Sequence, residues 1–113
     1  MNPRLASSVL VSALIRRAES EGGFGAVLAR GDSTAGSIAV VLLEKGGNPR
    51  IFERILQPDG QYSWSSSATR PDETAEEVPA FIARRRRFDP DLWVLELDIP
   101  SAERFAAEMN AIG

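Results

Sequence analysis

The stretch Phe88–Asp98 constrains the fold of this chain most, because it joins turn chemistry to a short apolar run. Within it, five of the six residues of Leu92–Leu97 are apolar. Because side chains alternate along a strand, this run places apolar residues on both faces, which is typical of an interior strand. Turn residues bound it, with Asp89–Asp91 before it and Pro100 after it. We therefore predict a buried interior strand over Leu92–Leu97.

Seven other segments have the periodicity of a helix or a strand, which gives the order α-β-β-β-β-α-β-α. The first predicted helix is capped by Ser7 or Ser8 and runs to about Ser20. The second starts at a possible capping box, Thr74–Glu77, and runs to about Arg87, and the third runs from about Ser101 to Ala111. The other predicted strands are Phe24–Arg30, Ile38–Leu43, Arg50–Leu56 and Gln61–Ser66. Short connections predict that the first four strands form an antiparallel meander. We expect Leu92–Leu97 to insert beside one of the apolar strands.

These elements predict an α+β fold with two layers, in which three helices cover one face of a mostly antiparallel sheet of about five strands. The length of 113 residues fits a single globular domain over residues 1–113. The sequence contains no cysteine and no histidine, which excludes disulfides and thiolate chemistry and disfavours zinc and iron sites. We expect no cofactor, although carboxylates could still hold a hard cation.

Charge and hydropathy limit the partners of the chain. No apolar run approaches the roughly 20 residues that span a bilayer. Val9–Ile15 is apolar, but it is followed by Arg16 and Arg17 and lacks a cleavage-site pattern. We therefore expect a cytoplasmic location without membrane contact. The net charge of −3 gives no general attraction to nucleic acid, so a nucleic-acid partner is not favoured.

Four blocks of sequence resemble one known family. They are Val11–Arg17, Gly22–Phe24, Arg30–Gly36 and Phe88–Val94, and the last block is the most specific. In this order they resemble the bacterial family of domains of unknown function numbered 1491, over about Val11 to Leu97. The resemblance implies a compact cytosolic bacterial protein of similar length, and it implies no catalytic residue.

The most conspicuous candidate site is the arginine run Arg84, Arg85, Arg86 and Arg87. It could bind phosphate, nucleic acid or an acidic partner. The favoured interpretation is a solvated helix end, because acidic residues at the start of the segment and arginines at its end both suit the helix dipole.

The helical repeat separates these four arginines. Counted from Val78 and Phe81, Arg85 returns to the apolar stripe. We predict that Arg85 is partly buried and pairs with a carboxylate, with Asp89 or Asp91 the nearest in sequence, since an unpaired buried guanidinium costs several kcal/mol. The other three arginines should be more exposed.

Acidic residues around the last strand are a second candidate. Asp89 and Asp91 could take part in acid–base chemistry or hold magnesium, but Asp-Pro-Asp more often forms a turn. We expect Glu96 and Asp98 to lie on opposite faces of the strand and not to converge.

Two further features have a functional and a structural interpretation. Gly31–Gly36 could form a backbone nest for phosphate, although a turn stabilised by Asp and Ser side chains is favoured. Tyr62 and Trp64 could stack on a base or a peptide, although an aromatic pair on an amphipathic strand more often covers the core.

These observations favour a non-enzymatic binding module with an unknown protein partner or a second copy as its ligand, because no catalytic set is recognisable. A homodimer would form through the edge strand Gln61–Ser66 or the last helix. The alternative is a small enzyme or ligand-binding domain for an anionic metabolite, with Arg30, Arg54 or Arg85 as a clamp and a carboxylate as base. RNA binding through the arginine run and Trp64 is a weaker alternative.

Overall fold

The computed structural model describes residues 6–66 and 78–112 of the 113-residue chain. They form three helices and five strands, and the predicted order is confirmed. The helices are α1 (Ser7–Ser20), α2 (Val78–Phe88) and α3 (Ala102–Ile112), and the strands are β1 (Phe24–Ala29), β2 (Ile38–Glu44), β3 (Gly47–Leu56), β4 (Tyr62–Ser66) and β5 (Trp93–Ile99). The predicted capping box at Thr74–Glu77 lies outside the described residues.

The five strands form one mixed sheet in the order β1-β5-β2-β3-β4. β5 pairs antiparallel with β1 and parallel with β2, while β2, β3 and β4 form an antiparallel meander. The prediction of an interior strand over Leu92–Leu97 is therefore confirmed, and the predicted edge strand β4 lies at an edge. The prediction that β1 belongs to the meander is wrong, because β5, which is apolar on both faces at its start (Trp93–Leu95), takes the interior place beside β2.

A tight hairpin joins β2 to β3. Glu44 pairs with Gly47, so the turn consists of Lys45 and Gly46. Both turn residues have positive φ, at 50° and 80°, the conformation of a two-residue turn that matches the twist of the flanking strands. The sequence predicts a hairpin connection over Lys45–Pro49. A hairpin is confirmed here, but its turn is shorter than predicted, because residues 47–49 belong to β3.

Helices α1 and α3 pack against one face of the sheet, here called the closed face. Leu10 and Leu14 of α1 meet Val40 of β2, Leu95 of β5 and Phe105 of α3, and all five side chains are fully buried. The apolar stripe of α1 thus faces the core, as its spacing predicts. This cluster is the main core of the domain.

Helix α2 packs against the opposite face, here called the open face, whereas the sequence led us to expect all helices on one face. Val78, Phe81 and Ile82 of α2 lie over the apolar side chains of the sheet. None of the side chains of α2 is fully buried. Because β2 is apolar on both faces and β5 adds Val94 to the open face, a helix on each side is needed to cover them. Beneath α2 lie Ala39, Val41, Ile51, Leu92 and Val94.

The start of α1 is fixed by a loop and not by a serine cap, so the predicted cap is wrong. Ser7 and Ser8 lie inside the helix, and no side chain caps it. Their backbone N–H groups donate to the carbonyls of Thr34 and Ser33 at 3.1 and 2.9 Å. The Ser7 hydroxyl donates to the Gly36 carbonyl at 2.6 Å. The loop before β2 therefore satisfies the first donors of the helix.

Candidate binding site

Arg85 anchors α2 to the sheet. Its guanidinium contacts Glu53 of β3, with the Nη2–Oε1 distance at 2.6 Å and the Nε–Oε1 distance at 2.8 Å. The side chain of Arg85 is 37% exposed and that of Glu53 is 19% exposed. The prediction of a partly buried Arg85 paired with a carboxylate is confirmed. The predicted partners Asp89 and Asp91 are wrong, because α2 crosses the sheet above β3 and brings Glu53 within reach.

The other three arginines divide into one anchored and two exposed side chains. Arg86 is half-buried, and its Nη2 donates to the carbonyls of Arg30 and Pro90, both at 3.0 Å. The prediction that Arg86 is more exposed than Arg85 is therefore not met, since both are half-buried. Arg84 and Arg87 are exposed, as predicted. The run thus supplies one ion pair to the sheet, one anchor to the loops beside it, and two surface charges.

Asp89 and Asp91 build the turn between α2 and β5. The Asp89 Oδ1 accepts a hydrogen bond from the Asp91 N–H at 3.2 Å. The Asp91 carbonyl accepts one from the Asp32 N–H at 3.1 Å. Such bonds are the ordinary turn chemistry of aspartate, and they orient the loop that leads into β5.

Trp64 belongs to the core of the closed face, where it is 7% exposed. Beside it, the guanidinium of Arg54 stacks on the ring of Tyr62, with 4.2 Å between the carbon and the ring centroid. Trp64 is therefore not an exposed stacking surface. The arginine run lies on α2 above the open face, so the residues of the RNA-binding hypothesis are not brought together.

The loop Gly31–Gly36 binds its own backbone. The Asp32 Oδ2 accepts hydrogen bonds from the N–H groups of Thr34 and Ala35 at 3.2 and 2.8 Å. The Asp32 carbonyl accepts one from the Gly36 N–H at 3.2 Å. Since these amides already have protein acceptors, the geometry is that of the favoured turn and not of an open phosphate nest.

The three arginines of the clamp hypothesis do not converge. Arg85 lies over the open face with Glu53, while Arg54 lies on the closed face with Tyr62. The guanidinium of Arg30 lies 5.7 Å from the ring centroid of Trp93. Across residues 6–66 and 78–112, no three acidic side chains come close enough together to hold a metal ion.

A groove between α2 and the sheet is the site that the sequence did not reveal. Its volume is about 660 Å³, and its lining is mainly apolar. It continues to the edge strand β1 through Leu28, which is exposed. The lining consists of Leu28, Ala29, Val41, Leu43, Gly46, Pro49, Val78, Pro79, Ile82, Ala83, Arg86 and Glu96. The only advance signals were the apolar second face of β2 and the short stripe of α2.

Glu96 is the carboxylate of this groove. In the sheet it lies between Ala26 of β1 and Val41 of β2, and it is half-buried. Among the described residues its carboxylate makes no hydrogen bond and no ion pair. Arg86 also lines the groove, but its guanidinium donates to two carbonyls of the surrounding loops. The groove therefore combines apolar walls with an acceptor that other described groups do not use.

The expectation that Glu96 and Asp98 lie on opposite faces is wrong. They are two residues apart, so they share a face, and both belong to the open face. The Asp98 Oδ1 accepts a hydrogen bond from the Gly46 N–H at 3.0 Å. Asp98 therefore serves the hairpin between β2 and β3, and Glu96 remains in the groove.

None of the helices in the described part of the chain has the length and apolarity to cross a bilayer.

Comparison with known proteins gives one family and several similar folds. The sequence profile of the family described as "Protein of unknown function (DUF1491)" matches residues 5–107. The crystal structure of a DUF1491 family protein from Caulobacter crescentus CB15 is 32% identical, with a TM-score of 0.81, over 90% of this chain and 94% of that chain. The solution structure of protein Atu0922 from A. tumefaciens is also 32% identical, with a TM-score of 0.77, over 91% of this chain and 92% of that chain. The comparison with curated proteins gives no match.

Proposed function

Because the chain belongs to the DUF1491 family, whose function is unknown, we propose its function from its own surface. It is a non-enzymatic protein-binding module. The groove between α2 and the open face binds an apolar segment of a partner protein, and this segment carries a basic residue that pairs with Glu96. The observation that carries the proposal is a half-buried carboxylate without a partner among the described residues, set in an apolar groove.

The apolar walls set the first requirement for the partner. Val41 and Leu43 form the floor on the sheet, and Val78 and Ile82 form the wall on α2. A volume of about 660 Å³ accommodates several side chains. Each large apolar side chain removed from water contributes roughly 1.5–3 kcal/mol before the costs of association. Two or three apolar residues on one face of a peptide would therefore provide most of the affinity.

Glu96 sets the second requirement. A partner that covers this carboxylate without a hydrogen bond would bury an unpaired charge, which costs several kcal/mol. A lysine or arginine side chain removes that cost with a charge-assisted hydrogen bond. Arg86 does not meet this need, because its guanidinium donates to the carbonyls of Arg30 and Pro90. The groove therefore favours apolar segments with a basic residue over purely apolar ones.

A peptide selection tests the proposal. A phage library of random linear peptides is selected on the immobilised wild-type chain, and the affinity of the enriched peptides is measured by titration calorimetry. The variants are Ile82→Ser, which removes apolar wall, and Glu96→Gln, which removes the charge. Leu56→Ser and Glu103→Gln are matched controls outside the groove. Thermal melting confirms that each variant is folded.

We expect enriched peptides to share apolar residues together with a lysine or arginine. Their affinity should fall about tenfold or more in each groove variant, a loss of about 1.4 kcal/mol or more, and stay unchanged in the controls. Enrichment of peptides without basic residues, or equal binding to Glu96→Gln and wild type, would contradict the proposal. The absence of any enrichment over an empty surface would also contradict it.

A further inference from the structure

The edge strand β1 is the second unusual surface of the molecule. Phe24, Val27 and Leu28 are 61%, 39% and 46% exposed, so three of its six side chains are large, apolar and in contact with water. On one side β1 pairs with β5, and on the other side no strand of the described chain pairs with it. Some of its backbone N–H and C=O groups therefore point away from the sheet, where another strand could pair with them.

The sequence of β1 lacks most of the features that protect an edge strand. Natural edges carry lysine, proline, inward-pointing charges or β-bulges, which prevent pairing with another strand. β1 reads Phe-Gly-Ala-Val-Leu-Ala and contains no charged residue and no proline. Its one irregularity is a shift in register between Val27 and Ala29. An uncharged edge with exposed apolar side chains indicates a surface that another strand covers.

We infer that β1 pairs antiparallel with β1 of a second copy of this chain, so that two sheets join across a two-fold axis. This inference rests on the outer edge of β1, and of the side chains that it pairs across the axis only Leu28 also lines the groove. A two-fold axis at Ala26 keeps each face of the sheet continuous and sets Phe24 of one copy opposite Leu28 of the other copy. These two side chains lie on the open face, and each would cover the other.

The charges beside β1 fit this arrangement. Glu21 lies before the strand and Arg30 lies after it. Antiparallel pairing about Ala26 places residue 22 of one copy opposite residue 30 of the other. The exposed Arg30 of each copy then comes near Glu21 of the other copy, whose side chain is 17% exposed and lies 3.8 Å from Arg104 of its own chain. Opposite charges at the two ends favour the antiparallel self-pairing, while the uncharged middle avoids repulsion between like charges.

Charged substitutions in the full chain test the pairing register of the two β1 strands. The variants are Phe24→Lys, Leu28→Glu and the double variant F24K/L28E, and Ile55→Lys is the control. Ile55 is 45% exposed on β3, so it matches Leu28 in exposure and lies away from β1. Sedimentation velocity across a wide concentration range gives the mass, and circular dichroism confirms the fold.

We expect a wild-type mass of twice the 12.3 kDa chain, and about tenfold or weaker association for each single variant. The double variant should recover the dimer, because each introduced lysine then faces an introduced glutamate of the other copy. Ile55→Lys should stay dimeric. A wild type that is monomeric at all concentrations overturns the inference, and so does a double variant that associates no better than the single ones.

These experiments test the groove proposal and the dimer proposal separately. Phe24 does not line the groove, so the Phe24→Lys variant should bind selected peptides as wild type does. Loss of the dimer with retained peptide binding supports both proposals, whereas a monomeric wild type that binds peptides leaves only the groove.

Discussion

The two faces of the sheet differ in how completely they are covered. On the closed face, α1 and α3 enclose a core in which Leu10, Leu14 and Phe105 are fully buried. On the open face, α2 places no fully buried side chain over the sheet, and a groove of about 660 Å³ remains. Both faces present branched apolar side chains from β2, whereas β5 presents four apolar side chains to the closed face and Val94, Glu96 and Asp98 to the open face. The difference between the faces therefore comes from the helices and from the two acidic residues of β5.

This difference underlies our proposal that stability and binding belong to opposite sides of one sheet. The closed face gains free energy from complete burial, whereas the open face keeps apolar surface and Glu96 available. A binding surface of this kind costs stability, because exposed apolar area is not removed from water. Substitutions on each face measure how far the two faces differ in their contribution to the free energy of unfolding.

The largest effect is expected in the closed core. Phe105→Ala should lower the free energy of unfolding by about 3–5 kcal/mol, because it leaves a cavity among fully buried neighbours. Ile82→Ala on the open face should cost only about 1 kcal/mol, since Ile82 is half-buried and borders a groove. Urea unfolding of both variants measures the two costs, and equal losses would remove the distinction between the faces.

The next effect concerns the attachment of α2. Arg86→Ala should cost about 1–2 kcal/mol, because the carbonyls of Arg30 and Pro90 lose a charged donor. Its exposed neighbour is the matched control, and Arg87→Ala should stay within about 0.5 kcal/mol of wild type. Chemical unfolding of the two variants distinguishes an anchoring residue from a surface charge. Identical stabilities would show that the two hydrogen bonds do not hold α2.

The ion pair beneath α2 should contribute less. Glu53→Gln should cost about 1 kcal/mol, because Arg85 and Glu53 are both partly exposed and solvent screens their attraction. A double-mutant cycle with Arg85→Gln gives the coupling free energy from unfolding curves. A coupling near zero would mean that α2 is held by its apolar stripe alone.

The smallest effect is a dependence on pH at the rim of the closed face. Arg17 of α1 donates to Glu108 of α3 at 2.8 Å, and this bond holds the pKa of Glu108 below its usual range. Because the pKa is lower in the folded state than in the unfolded state, the stabilisation is complete above the unfolded value of about 4.3 and is lost as the pH falls through the folded value.

The variant Glu108→Gln isolates that contribution. It should be slightly less stable than wild type at neutral pH, and the difference should shrink in acid as Glu108 takes up a proton. Thermal melting of both proteins over a series of acidic and neutral pH values measures this change. A constant difference at every pH would exclude the ion pair as its cause.

Local chemistry predicted the elements well. The apolar run Leu92–Leu97, the hairpin connection that begins at Lys45 and the stripe of α1 all correspond to structures that depend on neighbours in sequence. The prediction for Arg85 also succeeded in part, because a helical repeat is enough to show which arginine turns towards the sheet. Its partner Glu53 lies 32 residues away and follows only from the crossing of α2 over β3.

Tertiary arrangement accounts for the errors. The place of β5 between β1 and β2 depends on which apolar strand pairs best in the interior of the sheet. The periodicity of the sequence does not show which of the apolar strands that is. The groove arises because α2 lies on the second face and covers only part of it, so no motif in the sequence marks it. In the sequence Glu96 is one of several acidic residues, and its position within an apolar strand is the signal that could mark it as part of a site.

Mapping a bound peptide by NMR tests the central claim most directly, namely that the open face is the binding surface. The strongest selected peptide is titrated into isotope-labelled protein, and the backbone amide shifts are followed. We expect shift changes around Val41, Leu43, Ile82 and Glu96, with Leu14 and Phe105 of the closed face unchanged. Changes centred on α1 and α3, or on the exposed arginines without the groove, would contradict it.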